Sequence, residues 1–244
     1  MKIAVISDIH GNFDALSALP EDYDQLWVLG DLVNYGPQPA EVIEFVRSRG
    51  VHAIRGNHDQ SIGYGEDPRC SPRFRAMAEA TRRYTDSVLN ERDKQYLRQL
   101  RLEQLVWIGN KSYRLCHATP RDPLYAYCLP ADERWEEECR FARAEVLLVG
   151  HTHVPFKKQV GHTLVVNPGS LGQPKSGDPR ARYAIVEDGH VSLCSFDYPI
   201  ENTVQKIRAM PIPNGIQDDL TQVLRTGSVP QQGSETEYVE NRGA

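Results

Sequence analysis

Several short apolar segments of this 244-residue chain are followed directly by aspartate, histidine or asparagine, and this pattern most constrains the fold. Asp8 and His10 follow the apolar residues 3–6, and Asp31 follows residues 26–29. A short apolar run closed by polar residues or glycine predicts a buried strand. Because ligands of open α/β sheets bind beyond the carboxyl ends of strands, these polar ends are expected to converge on one crevice.

The spacing of apolar residues divides the chain into two parts with different predicted secondary structure. In the first part, strands at 3–6, 26–29 and 51–54 alternate with helices, at 12–19 and 39–48. This alternation of strands and helices predicts βαβ units and a layered α/β fold. The second part is predicted to be antiparallel. It has three predicted hairpins, at 101–115, 157–166 and 181–196, and one further buried strand, at 146–149. Two further helices are predicted, at 132–143 and 201–210.

The domain organisation follows from the same spacing. Residues 1–225 are predicted to form a single α/β domain, a sandwich of two mixed β-sheets with helices outside. The charged, helix-prone residues 61–100 come directly after His58 and Asp59, and are expected to form a helical cap beside the site. Residues 226–244 are polar and are expected to be a flexible tail.

Composition excludes some classes of protein. The net charge of −5 and the absence of a basic stripe weakly disfavour nucleic acid as a partner. No apolar run is long enough to cross a membrane, and no signal peptide is recognisable, so a cytoplasmic location is expected. The oligomeric state stays open. The five scattered cysteines are expected to be free thiols: Cys70, Cys116, Cys128, Cys139 and Cys194.

The polar residues at the strand ends have the chemistry of metal ligands. Carboxylate, imidazole and amide donors bind hard or borderline divalent ions. An extended i, i+2 pair, such as Asp8/His10 or His151/His153, would place both side chains on one side of the backbone. Two ions about 3.5–4 Å apart need a bridging carboxylate, and Asp31 is the natural candidate.

Each motif alone has an ordinary explanation, since an isolated Asp-x-His occurs by chance and His117 could be a hydrogen-bonded core histidine. Their joint order favours a site, because so many polar clusters would be costly to bury without a metal. Three other histidines lie within strands or at turns and are interpreted as non-catalytic: His52, His162 and His190.

The ordered set resembles the signature of the calcineurin-like metallophosphoesterases. Its parts are Asp8-x-His10-Gly11-Asn12, Gly30-Asp31, Gly56-Asn57-His58-Asp59, His117 and Gly150-His151-Thr152-His153. The segment 167–174 is similar to the small bacterial and archaeal phosphodiesterase branch of that family. The resemblance covers roughly residues 1–187.

The resemblance implies two divalent ions. One would be held by Asp8, His10 and His153, and the other by Asn57, His117 and His151, with Asp31 bridging them. It also implies a metal-bridging hydroxide as nucleophile, His58 as general acid, and Asp59 orienting the His58 ring. Mn(II) is the first expectation for the metal, with Fe(II), Ni(II) or Zn(II) also compatible with O and N donors.

The implied activity is hydrolysis of a small phosphodiester substrate. The alternatives are a phosphomonoesterase acting on phosphoprotein or nucleotide, a nuclease, and a non-catalytic scaffold protein of the same fold. The residues expected to touch substrate phosphate are Asn12 and Arg121. Three more basic residues, Lys175, Arg180 and Arg182, lie in neighbouring loops, where they either bind phosphate or are solvated.

Overall fold

A computed structural model describes residues 1–20, 22–49 and 51–229 of the chain. The strands, in chain order, are β1 Lys2–Ile6, β2 Gln25–Val28, β3 His52–Ala53, β4 Glu103–Ile108, β5 Lys111–Cys116, β6 Val146–Leu148, β7 Phe156–Val160, β8 Thr163–Asn167, β9 Ala181–Glu187 and β10 His190–Phe196. The helices are α1 Phe13–Ser17, α2 Pro39–Ser48, α3 Asn57–Tyr64, α4 Pro72–Val88, α5 Glu91–Gln99, α6 Trp135–Ala142, α7 Ile200–Arg208 and α8 Asn214–Thr226. The predicted strands and hairpins are present, most with ends shifted by one or two residues.

The strands form two five-stranded mixed sheets, in the orders β10-β9-β1-β2-β3 and β4-β5-β6-β8-β7. In the first sheet β1, β2 and β3 are parallel, and β9 joins β1 antiparallel. In the second sheet β5, β6 and β8 are parallel, although the hairpins at both edges are antiparallel. The prediction of a parallel first part is confirmed, since β1, β2 and β3 pair in parallel. The prediction of an antiparallel second part is wrong, because β5, β6 and β8 also pair in parallel. Local spacing identifies hairpins, but pairing between distant strands depends on tertiary packing.

The two sheets pack face to face. Val5 and Trp27 of the first sheet share one buried cluster with Tyr113, Leu115 and Leu148 of the second. The rings of Trp27 and Tyr113 meet edge to face across the interface, with centroids 5.6 Å apart. Each fully buried side chain of this size contributes roughly 1.5–3 kcal/mol to folding. The predicted sandwich of two mixed sheets is confirmed.

Helices cover the outer face of each sheet. Val42 and Ile43 of α2 and Leu97 of α5 bury their side chains in the cluster over the first sheet. Trp135 and Cys139 of α6 pack in the cluster over the second sheet. Every helix in the described part of the chain is too short or too polar to cross a bilayer, and all five cysteines are free, as expected.

The helical stretch begins earlier than predicted. Helix α3 starts at Asn57, because the Asp59 carboxylate accepts the Gly56 backbone N–H (2.9 Å) and caps the first turn. Helix α4 packs on α7 and α8 through Met77 and Ala80. The assignment of residues 61–100 as a cap beside the site stays a prediction.

The C-terminal part holds one helix that was not predicted. Ile216, Leu220 and Leu224 recur every fourth residue and bury one face of α8 against α4 and α7. This spacing was visible in the sequence. Thr226 ends α8 instead of beginning a tail, and residues 230–244 of the predicted tail lie outside the described residues.

Candidate metal centre

The seven predicted ligands come together at the carboxyl ends of the central strands. Two groups of three side chains hold their donor atoms within 4.8 Å of one another: Asp8, His10 and His153, and Asp31, His117 and His151. Asn57, at the start of α3, lies against the second group, with its Oδ1 3.1 Å from both His117 Nε2 and His151 Nδ1. Residues from motifs that are far apart in the sequence therefore lie together in one cluster.

Backbone carbonyls fix the orientation of the imidazoles in the first group. His10 Nδ1 donates to Val33 O (3.0 Å) and His153 Nδ1 donates to Gln173 O (2.5 Å). Their Nε2 atoms are consequently unprotonated in the neutral rings, yet they lie 3.2 Å apart. Two facing lone pairs repel each other unless a cation lies between them, so this geometry fits a metal ion.

The second group is oriented in the same way. His117 Nδ1 donates to Leu29 O (2.7 Å), which leaves Nε2 facing the site. Asn57 Nδ2 donates to Pro68 O (2.8 Å), which turns its Oδ1 toward His117 and His151. The donors are carboxylate, imidazole and amide groups, a set that suits first-row divalent metals.

Asp31 lies between the two groups. Its Oδ2 is 3.3 Å from His117 Nε2 and 3.6 Å from His10 Nε2, so one oxygen faces a histidine of each group. Its Oδ1 accepts the backbone N–H of His58 (2.9 Å). Asp8 Oδ1 is buried without a hydrogen-bond partner among the described residues. A shared carboxylate and an orphaned one are what two adjacent cations would satisfy.

The ligand loops have an unusual backbone. Asp8, His10, Asp31, His151 and His153 all have φ between 50° and 65°, in the left-handed region. The predicted extended i, i+2 pairs are therefore wrong, and His151 and His153 face different groups. A left-handed residue other than glycine costs of order 1 kcal/mol or more, so the surrounding structure must hold these loops in place.

The segment 167–173 braces those loops. Ser170 Oγ and Gly172 N both donate to Asp8 O, and Asn167 Nδ2 donates to Gly150 O. These bonds support a role for the segment in packing against the metal loops.

Gly172→Ala tests this brace. A Cβ at this position would lie 1.8 Å from the backbone oxygen of Ile9, in the loop that carries Asp8 and His10. We expect unfolding free energy to fall by about 3 kcal/mol or more, at the upper end of overpacking costs. Gly109→Ala is the control, because its Cβ meets nothing within 4 Å and only the positive φ of 57° is strained. Denaturant melts of both variants measure the difference; equal losses would contradict the brace.

Charge in the metal-free site is dominated by Asp31 and His117. Burial opposes both charges, but their contact prevails: it holds the pKa of Asp31 well below its usual range and raises that of His117 to about 9. Burial lowers the pKa of His10 and His153 well below the ordinary value, and lowers that of His151 to about 3, with help from His117. Three of the four histidines are therefore neutral at pH 7, as metal ligands must be.

Metal binding is expected to release a proton. His117 is protonated below pH 9 in the metal-free site, and only its neutral form binds a metal. At pH 7 we therefore expect release of about one proton, and affinity should rise with pH until about 9. Calorimetric titration with Mn(II) in two buffers of different ionisation enthalpy measures this release. Identical heats in both buffers would contradict it, and exposed His190→Ala should leave it unchanged.

His58 lies beside the metal groups, but Asp59 does not orient its ring. Asp59 accepts the backbone N–H groups of Asp31 (2.8 Å), Leu32 (2.8 Å) and Gly56 (2.9 Å). The expected Asp59–His58 contact is therefore wrong. Asp59 instead fixes the Asp31 loop and caps α3, because a buried carboxylate takes the backbone donors closest to it.

Asn34 is the residue that contacts the His58 ring, and the sequence analysis missed it. Its Nδ2 is 2.8 Å from His58 Nδ1, and its Oδ1 has no partner among the described residues. Rotating the amide by 180° would exchange donor for acceptor, so Asn34 can serve either protonation state of the ring. The available signal was its place three residues after Asp31, in the same strand-end loop.

The environment of His58 favours its charged form. Burial lowers the pKa of His58, but the opposing effect of Cys70 and Asp31 is larger. The net shift of the His58 pKa is therefore upward. Cys70 Sγ lies 3.5 Å from Nε2. An upward shift of the His58 pKa favours the protonated ring, which is the form that a proton donor needs.

The side-chain amide of Asn12 makes hydrogen bonds within the protein. Its Nδ2 donates to Gly172 O and to the Tyr198 hydroxyl (both 3.0 Å). Its Oδ1 accepts Ala15 N–H, as the cap of α1, and the Thr203 hydroxyl (both 3.1 Å). These four bonds use the full capacity of an amide. The structure thus gives no support to the expected contact of Asn12 with phosphate.

Of the four basic residues proposed for phosphate, only Lys175 contacts a predicted ligand. Its Nζ lies 3.3 Å from His153 Nε2 and 4.3 Å from the centre of the Phe74 ring, and burial lowers its pKa to about 8. Arg121 pairs with Glu137 instead, and Arg180 and Arg182 pair with Asp178. The structure thus gives no support to the expected substrate contact of Arg121.

Two adjacent groups of buried aspartate and histidine at the strand ends of an α/β sandwich define a metallohydrolase centre. The sequence profile of the calcineurin-like phosphoesterase superfamily domain matches residues 1–188. The chain belongs to this superfamily and is a hydrolase of phosphoester bonds, which confirms the resemblance.

Individual relatives agree in fold and length. A metallophosphoesterase from Sphaerobacter thermophilus is 30% identical, and its crystal structure matches with a TM-score of 0.78 over 93% of this chain and 100% of that one. Phosphodiesterase YfcE from Escherichia coli K12 is 27% identical over 81% of this chain and 93% of its own length. A local similarity, 45% identical over 67 residues, covers 24% of this chain and 24% of symmetrical bis(5'-nucleosyl)-tetraphosphatase from Psychromonas ingrahamii.

Proposed function

We propose that the protein is a dinuclear metal-dependent phosphodiesterase. The observation that carries this proposal is Asp31, whose Oδ2 faces a histidine of each donor group. Asp8, His10 and His153 would hold one ion, Asn57, His117 and His151 the other, and Asp31 would bridge them. Mn(II) is the first proposal for the metal, and the seven O and N donors are also compatible with Fe(II), Ni(II) or Zn(II).

Two divalent ions, when bound, would supply an activated water and would neutralise charge on the phosphoryl oxygens. The remaining steps belong to the chain. His58 donates its proton to the leaving oxygen, and Asn34 holds the ring in position. Lys175 adds positive charge at the edge of the first group, where it would attract the phosphodiester anion.

The preference for a diester is supported by YfcE, which is named as a phosphodiesterase and matches most of this chain. The local similarity to a bis(5'-nucleosyl)-tetraphosphatase suggests a second candidate linkage, the phosphoanhydride of a dinucleotide. This similarity covers only 24% of the chain, whereas the similarity to YfcE covers 81%, so the diester takes precedence.

Paired chromogenic esters test the proposal. Bis(p-nitrophenyl) phosphate and p-nitrophenyl phosphate are offered to Mn(II)-loaded and metal-stripped protein, with elemental analysis of both. We expect diester hydrolysis that disappears on stripping and returns with Mn(II). Faster hydrolysis of the monoester would favour a phosphomonoesterase instead. Two bound metals without turnover of either ester would overturn the proposed activity.

A further inference from the structure

A cavity of about 260 Å³ lies behind the proton donor, outside the metal centre. Its lining includes three arginines of α4, Arg75, Arg82 and Arg83, together with Cys70. We refer to it as the arginine cavity. Its volume is several times the roughly 30 Å³ share of one water molecule, so it can hold a hydrated phosphoryl group.

The arginines of this cavity have no ion-pair partner within the described part of the chain. Among the described residues, none of the three guanidinium groups has a carboxylate oxygen within 4.0 Å, although Asp67 and Glu79 also line the cavity. Arg82 Nε is buried and makes no hydrogen bond to a described residue. Other arginines of the described part of the chain, such as Arg47 and Arg114, are ion-paired. A buried guanidinium donor without an acceptor is costly, so a ligand that accepts from it would be favoured.

Cys70 connects this cavity to the reaction centre. It lines the arginine cavity, and its Sγ lies 3.5 Å from His58 Nε2, the nitrogen that would carry the donated proton. The leaving oxygen must approach His58, so the cavity lies on the leaving-group side of the site.

We propose that the arginine cavity binds a second phosphoryl group, carried by the leaving group of the substrate. This inference rests on the proposed function and specifies its substrate class: phosphodiesters whose leaving group is itself phosphorylated. Guanidinium groups suit this ligand, because their planar donors bind two phosphate oxygens at once. A substrate with a neutral leaving group would lack this contact.

Competition experiments with two matched series of inhibitors test the proposal. Linear alkanediol bisphosphates of two to six carbons are compared with the monoalkyl phosphates of equal length, as inhibitors of bis(p-nitrophenyl) phosphate hydrolysis by the Mn(II)-loaded protein. At least one bisphosphate should inhibit about tenfold more tightly than its monophosphate, the effect of one charge-assisted contact. The range of chain lengths covers different distances between the metal centre and the arginine cavity.

Arginine variants assign the effect to the cavity. In Arg82→Gln the ratio of the two inhibition constants should fall toward one, and Arg75→Gln and Arg83→Gln, with exposed side chains, provide the same test if Arg82→Gln does not fold. Arg92→Gln, exposed on α5 outside the cavity, should retain the wild-type ratio.

Failure of this inference differs from failure of the proposed function. A wild-type protein that hydrolyses the diester but shows no bisphosphate advantage at any length overturns the cavity proposal alone, as does an advantage that persists in all three variants. If the diester is not hydrolysed, the proposed function fails. Calorimetric titration of the metal-loaded protein with the same bisphosphates and variants then decides whether the cavity binds phosphate.

Discussion

Asp31→Asn is expected to empty both metal sites and to lower turnover on the order of a thousandfold, or about 4 kcal/mol. The substitution keeps the shape of the side chain and the oxygen that accepts the His58 N–H. It removes the negative charge that faces His117 at 3.3 Å and His10 at 3.6 Å. A neutral amide cannot bridge two dications as a carboxylate does, so both ions should be lost together.

Elemental analysis and diester turnover measure this result. Asp93→Asn is the matched control, because Asp93 is also a buried carboxylate but pairs with Arg47, at 3.2 Å, away from the donor groups. The control should retain its metals and most of its turnover. Two metals per chain in purified Asp31→Asn would show that Asp31 is not the bridge.

His58→Ala is expected to keep both metals and to lose turnover by about 10²–10⁴-fold with an alkyl leaving group. His58 is not among the donor groups, and its ring contacts Asn34 and Cys70 instead. The loss should be much smaller with p-nitrophenol, since this leaving group departs readily without a proton. The two substrates thus separate proton donation from general damage to the site.

Rates for both leaving groups, with metal content measured in parallel, test the role of His58. His52→Ala is the control, since this histidine is exposed and contacts Gln104 (3.1 Å). Undiminished turnover of the alkyl ester in His58→Ala would refute the assignment. Equal losses for both leaving groups would instead indicate a role in positioning the substrate.

The structural roles of Asp59 and Asn34 show where sequence reasoning reached its limit. Asp59 is next to His58 in the chain, yet it bonds the backbone of residues 31, 32 and 56. Asn34 is 24 positions from His58 and contacts its ring. Helix α3 begins at Asn57, and neighbouring residues on a helix point in different directions. A sequence neighbour was therefore a poor guide to the spatial one.

The sequence by itself determined the strands, the hairpin turns and the residues that are candidates for metal ligands. Apolar runs that end in aspartate and histidine are a local signal, and burying so many polar groups has few explanations other than a metal. Tertiary structure decided how the strands pair, as when β9 joins β1 and β8 joins β6. It also decided the left-handed backbone of Asp8, His10 and Asp31, because only contacts from distant segments can hold that strain. The arginine cavity likewise exists only in the fold, where α4 brings its arginines to Cys70, which in turn contacts His58.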